Sequence, residues 1–289
     1  MRGLFLSVFG VFGVVFFSWS LFVANGFITL WLAIELASLA VVPLFFVNYS
    51  SSVLTGLFNY FVASSIASSL MLCGLLYNEL IFMTIIGFLV KFGLFPLWGW
   101  VYKVFLNSNW LVVWSISTFL KFPFFLFPYF LFVSLEKSFV YWLSCLSLVL
   151  LSLFFWFYTY SWFHCWCHMM LSSSATLIAM SLSLYLEVFG NILFIYIGWS
   201  TAVIVYLYNC GGAPLSGTLR CFWFCFLLLS TPVSFSIFYK LLMIYGVYSC
   251  NFVVLSCWVI YSISEQFYLL KYLISYELPK SSFGVLGVV

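Results

Sequence analysis

Four charged residues lie inside long apolar stretches, where a charge is costly. They are Glu35 in ITLWLAIELASLAVVP, Lys91 in LVKFGLFP, Lys121 in STFLKFP and Lys240 in STPVSFSIFYKLL. Each costs at least ~2.5–3.5 kcal/mol at the centre of a membrane helix. Structural ion pairs, or simple snorkelling of Lys240, would explain single cases. Three lysines and one glutamate do not cancel pairwise, however, which favours an internal path that carries protons.

Helix-breaking residues accompany all three lysines in the sequence. They are Gly93, Pro96, Pro123 and Pro232. Proline removes a backbone hydrogen bond and opens a helix, and freed carbonyls at membrane depth are tolerated only beside protein or water. Burial disfavours the charged form of a lysine, whereas a nearby carboxylate favours it. A lysine beside a broken helix is therefore predicted to gain and lose a proton as its neighbour moves.

The composition sets the class of protein in which these charges must be held. Of 289 residues, 66% are hydrophobic and only 5% are charged, whereas a soluble domain carries about 25% charged residues. We therefore expect an all-α integral membrane protein. The net charge of +3 is small and scattered, so no nucleic-acid partner is expected. The 9 cysteines are spread through apolar stretches and predict no disulfide framework.

About ten transmembrane helices are predicted, forming one domain over residues 1–289. A spanning helix needs about 20 apolar residues, and the first such segment lacks a clear signal-peptide cleavage site. Because the connections are short, consecutive helices should be antiparallel neighbours. The predicted spans are 4–24, 27–47, 53–76, 80–101, 109–133, 138–159, 165–185, 188–208, 219–243 and 248–273.

An even number of spans places both termini on one side of the membrane. Lys and Arg concentrate on the side that is not translocated. Lys137 lies on the opposite side, while the terminal side carries more basic residues. Both termini are therefore predicted to face the matrix or cytoplasm. The basic residues on the terminal side are Arg2, Lys103, Arg220, Lys271 and Lys280.

Several motifs resemble those of the antiporter-like membrane subunits of respiratory complex I. LWLAIELASLAVVP (residues 30–43) is similar to their tryptophan–glutamate–proline helix and places the relay glutamate at Glu35. VKFGLFPLWGWVYKV is similar to their broken helix KLGxAPFHFWVPEV and places a relay lysine at Lys91. STFLKFP is similar to TWQKLAP at Lys121, and TPVSFSIFYKLL is similar to PPLTGFLPKW at Lys240.

The chain also departs from the pattern of that family. Asn59 stands where a lysine is common, and Tyr102 and Lys103 stand where Pro-Glu is usual, which reverses a charge. His168 stands in place of a lysine before the SSSAT segment. This position makes His168 a candidate member of the proton path.

The resemblance implies a fold of two inverted five-helix repeats, each with one broken helix. The spacing of charged residues gives weak support for such a repeat. Lys91 follows Glu35 by 91 − 35 = 56 residues. Lys240 similarly follows Glu187 by 240 − 187 = 53 residues. Glu35 and Lys91 should lie within ion-pair or one-water distance, and Lys91 and Lys121 should share a polar axis parallel to the membrane.

The resemblance also implies a function and a setting. The chain would be a non-redox subunit of a proton-translocating NADH:ubiquinone reductase in the mitochondrial inner membrane. An amino-acid usage rich in T- and G-containing codons is consistent with an organelle genome. No cofactor is expected in this chain; NADH, FMN, Fe–S clusters and ubiquinone would bind partner chains. The expected partners are the other membrane subunits, including neighbouring antiporter-like chains, and membrane lipids, with cardiolipin as a candidate.

Two other functions, and one other kind of site, remain as alternatives. A free-standing cation/proton antiporter would share the fold and the lysines, and a structural spacer would have lost pumping. Small loops favour a chain wedged among partners, and four buried charges argue against a spacer. His164 and His168 in SWFHCWCHMM, with Cys165 and Cys167, could form a metal cluster. Their spacing is weak and no second ligand set follows, so no metal is expected.

Overall fold

The computed structural model describes residues 2–24, 26–48, 50–77, 80–128, 137–210 and 218–276. Helices account for the regular structure of these residues, and one 3-10 helix lies among the α-helices. In chain order they are α1 (Arg2–Ser20), α2 (Phe27–Ala40), α3 (Val42–Phe45), α4 (Ser51–Leu76), α5 (Ile81–Phe92), α6 (Gly99–Leu106), α7 (Trp110–Ser117), the 3-10 helix (Phe119–Phe125), α8 (Lys137–Phe157), α9 (Trp162–Ser181), α10 (Leu186–Cys210), α11 (Thr218–Leu227), α12 (Phe235–Tyr248) and α13 (Phe252–Tyr276).

The predicted all-α membrane architecture is confirmed. Within the described residues, six segments are long and apolar enough to cross a membrane, and shorter apolar helices accompany them. The long helix α1 exposes a stripe of large apolar side chains that includes Phe5, Phe9, Phe12 and Phe16. A contiguous exposed apolar face of this kind suits contact with lipid or with another membrane subunit.

Helix α9 lies at the centre of the bundle. Every residue from Cys165 to Ser181 is buried, so neighbouring helices surround it on all sides. Its SSSAT segment is polar, and α9 is not among the helices that are apolar enough to qualify as spans by composition. Serine and threonine hydroxyls in it are satisfied by carbonyls one turn earlier, as when Ser172 donates to Met169. Protein rather than lipid therefore covers this helix.

The first broken helix is interrupted between α5 and α6. Helix α5 ends at Gly93, whose φ of +69° lies in the left-handed region that favours glycine. The amide of Gly93 donates to the Val90 carbonyl, and the amide of Leu94 donates to the Leu89 carbonyl. This pattern is the Schellman motif that terminates helices. The peptide bond before Pro96 is cis, and the chain resumes as a helix at Gly99.

The two other predicted breaks also interrupt helices. Helix α7 gives way at Thr118 to the 3-10 helix, which contains Pro123. Pro232 lies in the non-helical segment between α11 and α12. The predicted spans 80–101, 109–133 and 219–243 are thus interrupted at the predicted breaks, because the turns around the prolines cannot keep a regular hydrogen-bond ladder.

Side chains from α10, α13 and the first turn of α12 satisfy the backbone at the break between α11 and α12. The indole of Trp199 donates to the Leu227 carbonyl at 3.0 Å. The amide of Ser230 donates to the Gln266 side chain at 2.9 Å, and Ser236 donates to the Leu228 carbonyl at 3.3 Å. Broken backbone at membrane depth is stable only when such partners are present.

Part of the predicted topology falls outside the described residues. Residues 129–133 of the fifth predicted span lie there, as do Lys280 and the side chain of Arg2. The placement of both termini on one side of the membrane accordingly stays a prediction.

Substitution of Gly93 by alanine should destabilise the first break. A left-handed conformation costs a residue with a Cβ roughly 1–2 kcal/mol, and a Cβ at this position would meet Val101 Cγ2 at 2.6 Å. The matched control is Gly99→Ala, because a Cβ there has no atom within 4 Å. Thermal unfolding of the full chain in detergent, followed by circular dichroism, should show a lower midpoint for Gly93→Ala only. Equal midpoints for both variants would contradict the assignment.

Candidate functional site

Glu35 and Lys91 form a buried ion pair beside the first break. Lys91 Nζ lies 2.6 Å from Glu35 Oε1, and the exposed fractions of the two side chains are 9% and 17% for Lys91 and Glu35. Helix α2 supplies the glutamate and the last turn of α5 supplies the lysine. The predicted contact between them is confirmed. Ser38 also donates to the second carboxylate oxygen, Oε2, at 3.4 Å.

A side chain from beyond the break holds the end of α5 in place. The indole of Trp100, in α6, donates to the Val90 carbonyl at 2.9 Å. Val90 directly precedes Lys91, so the backbone of the lysine is fixed from both sides of the break. The sequence resemblance had included this tryptophan, but the geometry supplies its physical role.

Lys121 lies on the 3-10 helix with its side chain almost completely enclosed. Its residue is 2% exposed, and its ammonium group donates to three neutral oxygens. These are the Met170 carbonyl at 3.1 Å, Ser173 Oγ at 2.5 Å and the Tyr196 hydroxyl at 2.8 Å. The nitrogen also lies 4.3 Å from the centre of the Tyr196 ring.

These contacts satisfy the hydrogen bonds of Lys121 without neutralising its charge. A lysine ammonium has three donors, and each has an acceptor. The ion pairs that the described part of the chain forms are Lys91–Glu35 and Lys240–Glu265, and neither includes Lys121. A buried charge without a contacting counter-ion is costly, and the three hydrogen bonds to Lys121 offset part of that cost.

Lys240 pairs with a carboxylate that the sequence analysis missed. Its Nζ lies 2.9 Å from Glu265 Oε1, with 12% and 6% of the two side chains exposed for Lys240 and Glu265. The claim that the charged residues do not cancel pairwise was therefore wrong for Lys240. Glu265 lay inside the predicted span 248–273, so the criterion that selected Glu35 would also have found it. Glu187, the suggested counterpart from the repeat, is instead exposed in the first turn of α10.

A small cavity with both polar and apolar residues in its lining lies between Ser173, which contacts Lys121, and the Lys240–Glu265 ion pair. Its volume is about 20 Å³, which is sufficient for one water molecule. Ser173, which contacts Lys121, lines it together with Lys240 and Glu265. The hydroxyl of Tyr261 also lines it and is buried without a well-directed hydrogen bond.

His168 lies on α9 and contacts a residue at which the chain departs from the family pattern. Its Nδ1 is 2.6 Å from the hydroxyl of Tyr102. The ring is fully buried, and Nε2 has no hydrogen-bond partner in the described structure. Phe155 packs against it at a centroid distance of 5.0 Å. His168 therefore joins α6, the second half of the broken helix, to the central helix.

The structure does not join Lys91 and Lys121 by a described hydrogen bond. The hydrogen bond of Lys91 goes to Glu35, whereas those of Lys121 go to residues on α9 and α10. Between the two elements that carry the lysines, Phe92 and Phe124 stack with centroids 3.9 Å apart. The common polar axis of the two lysines stays a prediction.

The residues in SWFHCWCHMM do not form a metal centre in the structure. Over the described ranges, no group of three or more His, Cys, Asp and Glu side chains could hold a metal ion. His164 Nδ1 instead lies 2.9 Å from the hydroxyl of Ser161, at the beginning of α9.

Solved structures with the same architecture define the class of fold. One is a chain of respiratory complex I from Thermus thermophilus with bound aureothin, with a TM-score of 0.75 and 17% identity. The match covers 92% of this chain and 69% of that chain. Another belongs to the membrane-bound sulfane sulfur reductase, an archaeal respiratory membrane complex, with a TM-score of 0.71, 14% identity and coverage of 97% and 68%. The chain therefore shares its fold with chains of these two respiratory membrane complexes.

A sequence relative points to the same class of protein as the structural matches. The chain is 29% identical over 108 residues to NADH-ubiquinone oxidoreductase chain 2 of Artemia franciscana. That match spans 37% of this chain and 35% of the relative, about a third of its length. No protein-family profile matches the chain. The resemblance to complex I membrane subunits is thus confirmed in sequence and in fold.

Removal of the Tyr196 hydroxyl should weaken the site around Lys121. A hydrogen bond to a charged group contributes about 1.5–3 kcal/mol, so Tyr196→Phe should lower the thermal unfolding midpoint of the full chain in detergent. Tyr208→Phe on the same helix is the control, since Tyr208 is 65% exposed and surface changes usually stay within about 0.5 kcal/mol. Equal midpoints for the two variants would show that the Tyr196 hydroxyl contributes nothing to stability.

Proposed function

We propose that this chain is a membrane subunit of respiratory complex I that translocates protons through its buried lysines. The observation that carries the proposal is the state of Lys121, which is enclosed, fully hydrogen-bonded and without a contacting carboxylate. A structural ion pair would require a counter-ion at this position. A lysine that alternates between a charged and a neutral form is held better by neutral oxygens than by a carboxylate, because neutral oxygens can hydrogen-bond to both forms.

In this proposal, the ion pair between Glu35 and Lys91 controls when a proton enters the series of buried lysines. Glu35 is the more exposed partner, so a charge or a conformational change in a neighbouring subunit can act on it. At an effective dielectric near 20, a pair of charges about 4 Å apart is worth on the order of 4 kcal/mol. About 1.4 kcal/mol corresponds to a tenfold change in proton affinity. Even half of the pair energy therefore shifts the proton affinity of Lys91 more than tenfold.

Proton transfer then follows from the electrostatics. When Glu35 moves away, Lys91 loses its support and releases its proton toward Lys121 through internal water. Lys121 passes it toward Lys240, or the sequence runs in reverse. His168, held by Tyr102, is a candidate side group of this path. No redox group in this chain is required, because the driving change arrives from outside.

The setting of the chain belongs to the same proposal. We place it in the mitochondrial inner membrane, with both termini on the matrix side. Its partners are other complex I membrane subunits, including neighbouring antiporter-like chains, and lipids such as cardiolipin. The fold shared with chains of respiratory membrane complexes supports such partners. NADH, FMN, Fe–S clusters and ubiquinone would bind other chains.

Substitution of Lys91 by methionine tests the function directly. In the assembled complex reconstituted into liposomes, Lys91→Met should depress NADH-driven proton uptake and, with tight coupling, NADH oxidation. Loss of a positioned proton-transfer group lowers a rate on the order of 10²–10⁴-fold. Lys91→Arg should also impair pumping, because arginine holds its proton too strongly to relay it.

The control for this experiment is an exposed lysine just beyond the break. Lys103 lies on α6 with its side chain exposed, so Lys103→Met should pump like the unmodified complex. Assembly of each variant is verified by native gel electrophoresis before the assay. Full pumping per NADH in an assembled Lys91→Met complex would favour the structural spacer. Cation exchange by the isolated chain without NADH would favour the free-standing antiporter.

A further inference from the structure

The second ion pair, Lys240–Glu265, has the elements of a proton site rather than of a structural contact alone. Glu265 lies on α13, with 5% of the residue exposed. Besides Lys240, its Oε1 accepts a hydrogen bond from Gln266 at 3.1 Å. Gln266 in turn binds the backbone of the break between α11 and α12, where it accepts from the Ser230 amide. Two neighbouring residues of α13 thus contact both Lys240 and the break that precedes its helix: Glu265 binds the lysine, and Gln266 binds the backbone of the break.

The cavity lies between this pair and Ser173, which contacts Lys121. Lys240 Nζ has no well-directed hydrogen bond despite its 2.9 Å ion pair, and the Tyr261 hydroxyl in the same cavity interacts with Ser172 and Glu265 without a well-directed hydrogen bond. Buried polar groups require hydrogen-bond partners. A cavity of about 20 Å³ with polar groups on several sides is a suitable site for one ordered water.

Ser173 provides the link from the cavity to the central lysine. Its hydroxyl accepts a hydrogen bond from Lys121 at 2.5 Å and also lines the cavity. A hydroxyl can accept one proton while it donates another. The Ser173 hydroxyl donates to the Met170 carbonyl at 2.7 Å, so a turn of this hydroxyl toward the cavity would be needed to link Lys121, through one water, to Glu265.

We propose that Glu265 is a proton-carrying residue, which receives the proton of Lys121 through Ser173 and a single water. The inference rests on the proposed function of the chain. An N–H bond at Lys121 breaks, the hydroxyl and the water each pass on one proton, and an O–H bond forms at Glu265. The neutral acid no longer holds Lys240, whose ammonium then transfers its own proton to a water molecule on the side of the pair away from Lys121. Glu265 then returns its proton to the Lys240 amine, and the ion pair is restored.

Glu265→Gln and Glu265→Asp in the assembled, liposome-reconstituted complex test this assignment. Glutamine keeps the shape and loses the titratable group, so proton uptake should fall on the order of tenfold or more at unchanged assembly. Aspartate keeps a carboxylate with a shorter reach and should retain more uptake than glutamine. The control is Glu187→Gln, because Glu187 is exposed and distant in sequence from both ion pairs.

Infrared difference spectroscopy during NADH turnover supplies the readout that a structural role would not change. A carboxylic-acid C=O band that shifts in D₂O should be absent in Glu265→Gln and displaced in Glu265→Asp. Uptake in Glu265→Gln equal to that in Glu187→Gln would overturn the proposal. Equal losses in the glutamine and aspartate variants with an unchanged band would also overturn it. If glutamine prevents assembly, the displacement of the band in the aspartate variant decides.

The failure of this proposal can be distinguished from failure of the proposed function. Impaired pumping in Lys91→Met with normal pumping in Glu265→Gln would remove Glu265 from the path and leave the function standing. Normal pumping in both variants would remove the function itself.

Discussion

The hydrogen bonds of Lys121 to the central helix are the interaction on which the rest of the structure depends. A lysine at this depth is tolerated only where enough oxygens converge on it, and Met170 and Ser173 supply two of the three. Helix α9 can offer them because protein surrounds it completely. The polarity that makes α9 a poor lipid-facing span is therefore what allows it to occupy the centre of the bundle.

The broken helices follow from the same constraint. In a continuous helix the backbone carbonyls and amides hydrogen-bond to one another. Where a helix is interrupted, the backbone groups at the break need hydrogen-bond partners from other residues. Trp100, on α6 directly after the first break, supplies a partner there. Trp199 on α10 and Gln266 on α13 supply partners at the break between α11 and α12. Each break thus fixes the position of its lysine by tertiary contacts rather than by helical propensity.

The sequence was sufficient to predict features that depend on the energetic cost of a single residue at its own position in an apolar segment. Buried charges and helix-breaking prolines are visible without a structure, and the contact between Glu35 and Lys91 followed from them. Contacts set by the rotation of one helix against another could not be obtained in this way. The partners of Lys121 lie 49 to 75 residues away in the sequence, and Tyr102 reaches His168 across 66 residues. Apolar faces that tolerate many rotations do not specify such contacts.

The missed partner of Lys240 changes the electrostatic picture of the chain. With Glu265 included, the described buried charges form a carboxylate–lysine pair at each of two breaks, and a lysine without a contacting carboxylate between them in sequence. In each pair a carboxylate compensates the charge of the lysine at contact distance. Lys121 is held by neutral oxygens instead, so the described chain stabilises its buried lysines in two physically different ways. On the proton path proposed above, this difference is what separates the lysines at the two ends from the lysine between them: removal of a carboxylate charge acts directly on Lys91 or Lys240, whereas it reaches Lys121 only through the neutral groups around it.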